Sequence, residues 1–256
     1  MNSDSSSPQP VDLHAFAARN SIDLSPGEIH VWHTRLDTWR SALDDLARPL
    51  TEEERARGNR FMQPGDRERF VICRGLLRQL LSRYGLGPAD QIPFAYEPRG
   101  KPELAKSANS AGLQFNLAHS RDALVLAVTR QRRIGIDVER LRDVEHADAI
   151  ARRNFASEEL GVYFSVEDAR RMEAFFRVWT RKEAFIKATG EGLYRSLDSF
   201  AVSLDADSPC FLRIDRDEQD WTRWCLHDLT LDPNYPTALA TDCEGKIVNR
   251  WLTPDC

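Results

Sequence analysis

The sequence predicts an α+β protein of two similar lobes, a pseudo-dimer in which each lobe is a small sheet packed with a long helix. Three observations carry that expectation. At 256 residues, 41% of them hydrophobic and 29% charged, the chain can bury one large core or two smaller ones. Each half holds one long run with apolar residues recurring at three and four. Each half also holds several short apolar runs bounded by Gly, Pro or Asn, the mark of strands joined by turns. Letter-by-letter similarity between the halves is too weak to establish duplication from sequence.

Residues 1–27 read as a flexible tail, polar and serine-rich at first, with a short helix near Leu13 to Ala18. The N-terminal lobe is expected over 28–133. Glu28 to Thr34 alternates like a strand, Leu36 to Leu46 has helical spacing, and Thr51 with Glu54 forms a capping box that starts another helix. From Asp66 to Tyr84, the residues Phe70, Cys73, Leu77, Leu80 and Tyr84 mark one helical face, which Gly85 ends. Strands follow at Ile92 to Tyr96, Leu113 to Leu117 and Ala123 to Thr129. The strand Arg133 to Glu139 leads into the C-terminal lobe, 134–256. That lobe has helices near Ala147 to Asn154 and Val166 to Thr189, then strands around Phe200, Phe211, Trp224, Ala238 and Val248.

A net charge of −5 argues against a general nucleic-acid binder, whose affinity grows with the phosphates its Lys and Arg neutralise. Yet eight arginines crowd into Arg55 to Arg83, opposed there only by Asp66 and Glu68. Such a patch suits a compact phosphorylated ligand or an acidic partner, or is a solvated helix face. No apolar run is long enough for a bilayer span, and the N-terminus lacks the basic start and apolar stretch of a signal peptide, so a cytoplasmic protein is expected. Five scattered cysteines without a C-x-x-C pair read as reduced thiols.

In Gly135-Ile136-Asp137-Val138-Glu139, strand periodicity places Asp137 and Glu139 on one face. Two carboxylates side by side in a partly buried place repel each other unless a cation joins them or one stays protonated. Mg²⁺ takes such oxygen ligands and usually meets phosphate as well. Two ordinary acids at a solvated strand end are the other reading. On the long helix, Met172, Phe175, Phe176, Trp179 and Ile186 form one stripe, and at about 100° per residue Glu183 falls within it. A carboxylate on an apolar face needs a partner. Lys187, one turn on, supplies an intrahelical ion pair, or both residues join Asp137 and Glu139 in one site. Gly190 and Gly192 end the helix and permit close backbone approach.

Gly135-Ile136-Asp137-Val138-Glu139, taken with Phe176-x-x-Trp179-x-x-Lys182-Glu183-Ala184-x-x-Lys187-x-x-Gly190, resembles the paired signature of the 4'-phosphopantetheinyl transferases, in their longer, pseudo-dimeric single-chain type. Gly100-Lys101-Pro102 and Phe115-Asn116-Leu117-Ala118-His119-Ser120 are similar to two further family segments. The resemblance implies that Asp137, Glu139 and Glu183 hold Mg²⁺ against a pyrophosphate, with Glu183 and Lys187 serving the reaction. It implies that Arg57, Arg78, Arg99, Lys101, Asn116, His119 and Lys187 bind coenzyme A. It places Glu159 where relatives have an auxiliary acid or base. The implied reaction moves the phosphopantetheine arm of coenzyme A onto a serine of an acidic apo-carrier protein, by a monomer. The rivals are a Mg²⁺-dependent nuclease and a non-catalytic binder of coenzyme A or of a carrier domain.

Overall fold

The computed structural model describes residues 10–12, 21–96, 102–215, 223–229, 231–242 and 244–253. In chain order the principal elements begin with β1 (Pro10–Asp12), β2 (Glu28–Arg35), α1 (Leu43–Ala47), α2 (Glu52–Gly58) and α3 (Pro64–Leu81). Next come β3 (Phe94–Tyr96), β4 (Pro102–Leu104), β5 (Leu113–Ser120), β6 (Ala123–Arg130) and β7 (Ile134–Val138). Then follow α4 (Ala147–Asn154), α5 (Ser157–Ser165) and α6 (Asp168–Thr189). The last strands are β8 (Phe200–Val202), β9 (Phe211–Ile214), β10 (Cys225–Asp228), β11 (Thr237–Thr241) and β12 (Lys246–Thr253). The expected helix at Leu13 to Ala18 lies outside the described residues.

Two lobes are present, each a sheet carrying one long helix. In the first, β1-β12-β2-β6-β5 form a five-stranded sheet, and α3 packs on it through Ile72, Leu76 and Leu80 against Trp32, Leu124 and Leu126. In the second, β10-β11-β7 form a three-stranded sheet covered by α6 through Ala184 and Ala188 beside Ala238 and Ala240. The sheets meet through a third apolar cluster in which Ile29, Val31, Val125 and Ala127 face Ile134, Ile136, Val138 and Leu239. β2 and β7 are therefore covered on both faces. All but the end residues of β2 are buried, including His30 and His33, where alternation alone allots the strand one apolar face.

Three differences from the sequence reading bear on the site. The last strand, β12, leaves the second lobe and runs parallel to β2 and β1, so the C-terminal segment completes the N-terminal sheet and the boundary at 134 is not a clean cut. The described residues of the expected tail are packed: Leu24 is buried in the first core, the Ile22 amide donates to Arg83 O at 2.7 Å, and β1 pairs with β12. The helix expected from Val166 starts at Asp168, and a separate helix, α5, precedes it.

α6 is buried nearly all round because α4, α5 and the β8–β9 hairpin cover the side away from β7. Charged residues on that side are neutralised internally. Arg181 is held by Asp228 at 2.5 and 2.8 Å and by the carbonyls of Ser203 and Asp205. Lys182 Nζ meets Glu159 Oε1 at 2.8 Å and donates to Leu197 O and Phe200 O. These contacts fix the helix in rotation, and that rotation turns Glu183 and Lys187 toward the seam between the lobes.

Candidate functional site

A cleft of about 730 Å³ opens between α3 of the first lobe and the C-terminal end of α6 of the second. Its near wall is one face of α3, where Asp66, Phe70, the adjacent pair Cys73 and Arg74, and Leu77 succeed one another at steps of three or four residues. Its far wall comes from Glu183, Ile186, Lys187 and Gly190, and its back from Phe115, Asn116, Leu117 and His119 on β5. Four side chains that carry or accept positive charge, Arg57, Arg69, Arg74 and Lys187, stand against two carboxylates, with His119 beside them. Such a surface favours anions.

The floor is set by the contact of β7 with α6. Gly135 lies so close to the helix that a Cβ there would come within 2.0 Å of Ala184 O and 2.4 Å of Ala188 N. Only glycine allows that approach, and the approach brings Asp137 to Lys187. Lys187 Nζ donates to Asp137 Oδ1 at 2.5 Å and lies 3.4 Å from Ile136 O. The other carboxylate oxygen, Asp137 Oδ2, is buried with no hydrogen-bond partner. Burial pushes the Asp137 carboxyl up from 3.8 to about 7; Lys187 opposes this, while Glu183 and Glu139 add to it. Glu183 is also raised, first by burial and then by Glu139, against the pull of Lys187. The alternative of a simple Glu183–Lys187 helix pair is thus only part of the story, because the lysine bonds Asp137.

Glu139 follows β7 directly, and its Oε2 accepts from Ser120 Oγ at 2.8 Å and from Arg142 Nη1 at 3.1 Å. His119 opens on the cleft, yet the surrounding walls and the cations Arg69 and Lys187 hold its pKa below the usual imidazole value, with Glu139 pulling the other way. A bound phosphate would reverse that balance and favour the imidazolium.

The chemistry of these groups, though not their present spacing, suits a hard divalent cation. Three carboxylates influence one another electrostatically, and one of their oxygens is buried and unsatisfied, an expensive arrangement that a cation relieves. Among the described residues no three His, Cys, Asp or Glu side chains already converge at metal-ligand spacing.

Other sequence-derived candidates fall elsewhere. Arg78 does not reach the cleft: it is buried one turn past Arg74, with Nε and Nη2 on the two Glu54 oxygens at 2.7 and 3.1 Å and Nη1 on Ala89 O and Ile92 O. Its guanidinium locks α2 to α3, with four of its five N–H donors taken inside the protein. Asn116 borders the cleft, but its Oδ1 accepts the Ile136 amide at 2.8 Å, which ties β5 to β7 across the seam. Glu159 is no auxiliary acid or base at the surface, since it is fully buried on Lys182, the Val202 amide and the Ala156 amide. Arg57 lines the cleft over Phe70. Arg99 and Lys101 lie outside the described residues.

Sequence reasoning passed over Arg69, Arg74, Phe61 and Phe70 as lining residues. The signal was present, because Phe70 and Cys73 begin the apolar stripe of α3. Phe70 walls the cavity, Cys73 and Leu77 both line it and enter the core, and Leu80 and Tyr84 lie in the core alone.

Two lobes joined through apolar sheet faces, with a cation-walled cleft and a lysine–carboxylate cluster at the seam, define a protein whose cleft suits an anionic ligand. The comparisons narrow this class. The profile of the 4'-phosphopantetheinyl transferase superfamily matches residues 133–240, and that of the 4'-phosphopantetheinyl transferase N-terminal region matches residues 30–131. The 4'-phosphopantetheinyl transferase HetI of Nostoc sp. is 39% identical over 90% of this chain and 94% of its own length. The 4'-phosphopantetheinyl transferase Sfp of Bacillus subtilis is 31% identical over 66% of this chain and 83% of its own. The L-aminoadipate-semialdehyde dehydrogenase-phosphopantetheinyl transferase of Homo sapiens is 26% identical over 82% of this chain and 73% of its own. The chain belongs to the 4'-phosphopantetheinyl transferase superfamily.

Proposed function

We propose that this chain transfers the 4'-phosphopantetheine arm of coenzyme A to a serine of an apo-carrier protein, releasing adenosine 3',5'-bisphosphate, and that the seam cleft is where it does so. The single observation that carries the reading is the juxtaposition of Lys187, Asp137 and Glu183 at the floor of a cleft walled by Arg57, Arg69 and Arg74. A nuclease reading lacks comparable support on an acidic chain with its lysine on a helix.

Coenzyme A enters with its phosphates toward the cationic wall, where forked guanidinium donors and His119 suit phosphate oxygens. The carrier serine Oγ attacks the β-phosphorus, a new P–O bond forms, and the bond from that phosphorus to the bridging oxygen breaks. Glu183, whose affinity for a proton is raised by burial, accepts the serine proton. Lys187 stabilises the charge gathering on the departing bisphosphate, and Asp137 holds the ammonium in place. Asp137, Glu139 and Glu183 are the residues that would hold Mg²⁺, which when bound neutralises pyrophosphate charge. The enzyme is taken to act as a monomer in the cytoplasm on an acidic carrier. No helix among the described residues is long and apolar enough to cross a membrane.

Incubation with coenzyme A, Mg²⁺ and an apo-carrier, followed by intact-mass measurement, tests the proposal. Gain of one phosphopantetheine by the carrier, with stoichiometric adenosine 3',5'-bisphosphate, is expected. An unmodified carrier overturns it, and nicking of plasmid under the same conditions supports the nuclease.

A further inference from the structure

A second cleft, of about 550 Å³, lies on the other side of α3. Gly65, Glu68 and Ile72 give it one wall, and Arg69 belongs to both clefts, so the N-terminal half of α3 is the partition between them. The remaining walls come from the end of β2, the β5–β6 turn, the segment after β7 and the segment before β11. Both lobes therefore contribute.

Five arginines line this cleft, Arg35, Arg40, Arg69, Arg121 and Arg140, against the carboxylates Asp37, Glu68 and Asp122. On a chain of net charge −5 that is a local reversal of sign. Part of it is spent within the protein: Arg35 is bound by Asp122 and, at 3.2 Å, by Asp232, while Tyr235 donates to Asp122. Arg69 is paired with Asp66 at 2.7 Å, and Arg40 stands 3.9 Å from Glu68. Arg121 and Arg140 are exposed, and among the described residues neither forms an ion pair.

Two facts tie these arginines to the reaction site. Arg121 follows Ser120 and Arg140 follows Glu139, and Ser120 bridges the pair by donating to Glu139 Oε2 and accepting the Arg140 amide at 3.1 Å. A partner seated on Arg121 and Arg140 is thus beside the carboxylate cluster. Arg121 also holds a φ of 54°, a left-handed conformation that glycine adopts without strain. The turn tolerates an arginine where its backbone does not favour one.

We propose that this second cleft is the docking surface for the protein that receives the transferred group, and that the docking element is an acidic helix or loop flanking the acceptor serine. The inference rests on the transferase reading and adds to it where the acceptor sits. Cations spread over several segments of both lobes suit a row of carboxylates better than one compact phosphate, and steering by such a surface acts chiefly on encounter.

The test uses the full chain and an acidic apo-acyl carrier protein, with a second copy of that carrier whose acceptor serine is alanine. Arg121→Gly relieves the turn, so it is expected to melt no lower than wild type. Its carrier KM is expected to rise several-fold, with kcat and the KM for coenzyme A unchanged. Arg121→Glu with Arg140→Glu is expected to raise the carrier KM about tenfold or more, and to flatten its dependence on salt. A carrier KM within twofold of wild type in the double variant overturns the proposal, as does a change in the KM for coenzyme A instead. Direct titration with the alanine carrier separates the two layers. If it binds wild type but not the double variant while no transfer occurs, docking stands and the transferase reading falls. If it binds both equally, docking falls whatever the activity.

Discussion

Substitution of Gly135 by alanine is the sharpest perturbation of the seam. The added Cβ would meet Ala184 O at 2.0 Å, Ala188 N at 2.4 Å and Lys187 C at 3.0 Å, all backbone atoms of α6 that no rotamer change can move. Restoring ordinary contact at about 3.5 Å requires β7 and α6 to part by about 1.5 Å. Gly135 is paired with Ala240, so the shift drags β11 as well. Overpacking commonly costs about 1–3 kcal/mol, and the rigidity of these neighbours puts this case near about 3 kcal/mol. For a chain of this size that corresponds to a fall in Tm of about 6–12 °C. The same separation opens the 2.5 Å bond between Lys187 and Asp137. Misplacement by about 1 Å costs on the order of a hundredfold in rate. Calorimetry gives the first quantity, and transfer kcat at 25 °C, where the variant is still folded, gives the second. Gly161, on α5 with nothing within 4 Å of an added Cβ, is the control, and its alanine variant is expected to be at least as stable as wild type. A Gly135→Ala protein that melts within 2 °C of wild type and keeps half its kcat refutes the reasoning.

Glu183→Gln is expected to leave Tm unchanged or raised, because burial already disfavours the charged form, while kcat falls by about 10²–10³; full turnover removes Glu183 from the chemistry. Arg78→Met leaves the buried Glu54 with only Arg74, at 3.4 Å, and the Thr51 amide, and is expected to cost about 3 kcal/mol in urea unfolding, with the KM for coenzyme A unchanged at temperatures where the variant is folded. A rise in that KM without loss of stability returns Arg78 to the binding site. In metal-free buffer the raised pKa of Asp137 means that the folded state holds this proton more tightly than the unfolded state does. The stabilisation is complete below 3.8 and lost as pH rises through about 7. Wild type is therefore expected to lose urea midpoint between pH 4 and 7 relative to Asp137→Asn, and Mg²⁺ is expected to restore it at pH 7.5; parallel profiles without a Mg²⁺ effect contradict both the burial and the metal assignment.

The site was legible wherever local pattern and chemistry coincide. Asp137 and Glu139 could be paired from strand periodicity, and Glu183 stood out as a carboxylate on an apolar stripe. What α6 does with its other charges was not legible. Arg181 falls outside the stripe and Lys182 at its edge, and only Asp228 on β10, the β8–β9 hairpin and Glu159, remote in sequence, explain their burial. Arg78 shows the limit from the other side. An arginine on a basic helix carries no local mark that distinguishes a phosphate ligand from a partner of Glu54, a residue 24 positions away. The return of the C-terminal strand to the first lobe was hidden for a similar reason: β12 reads as one more strand, and its parallel pairing with β2 depends on a crossover that no periodicity records. Conversely, Gly135 can be spotted in its motif, but its purpose emerges only when the helix is seen resting on it.

A crystal structure of the protein with coenzyme A and Mg²⁺ puts the seam cleft to its most direct test. The pyrophosphate is expected within hydrogen-bond reach of Lys187, with phosphate oxygens on His119 or Arg74 and a cation touching Asp137 Oδ2. Coenzyme A bound in the second cleft, or bound with Lys187 and Asp137 still closed on each other and no phosphate near them, would contradict the assignment.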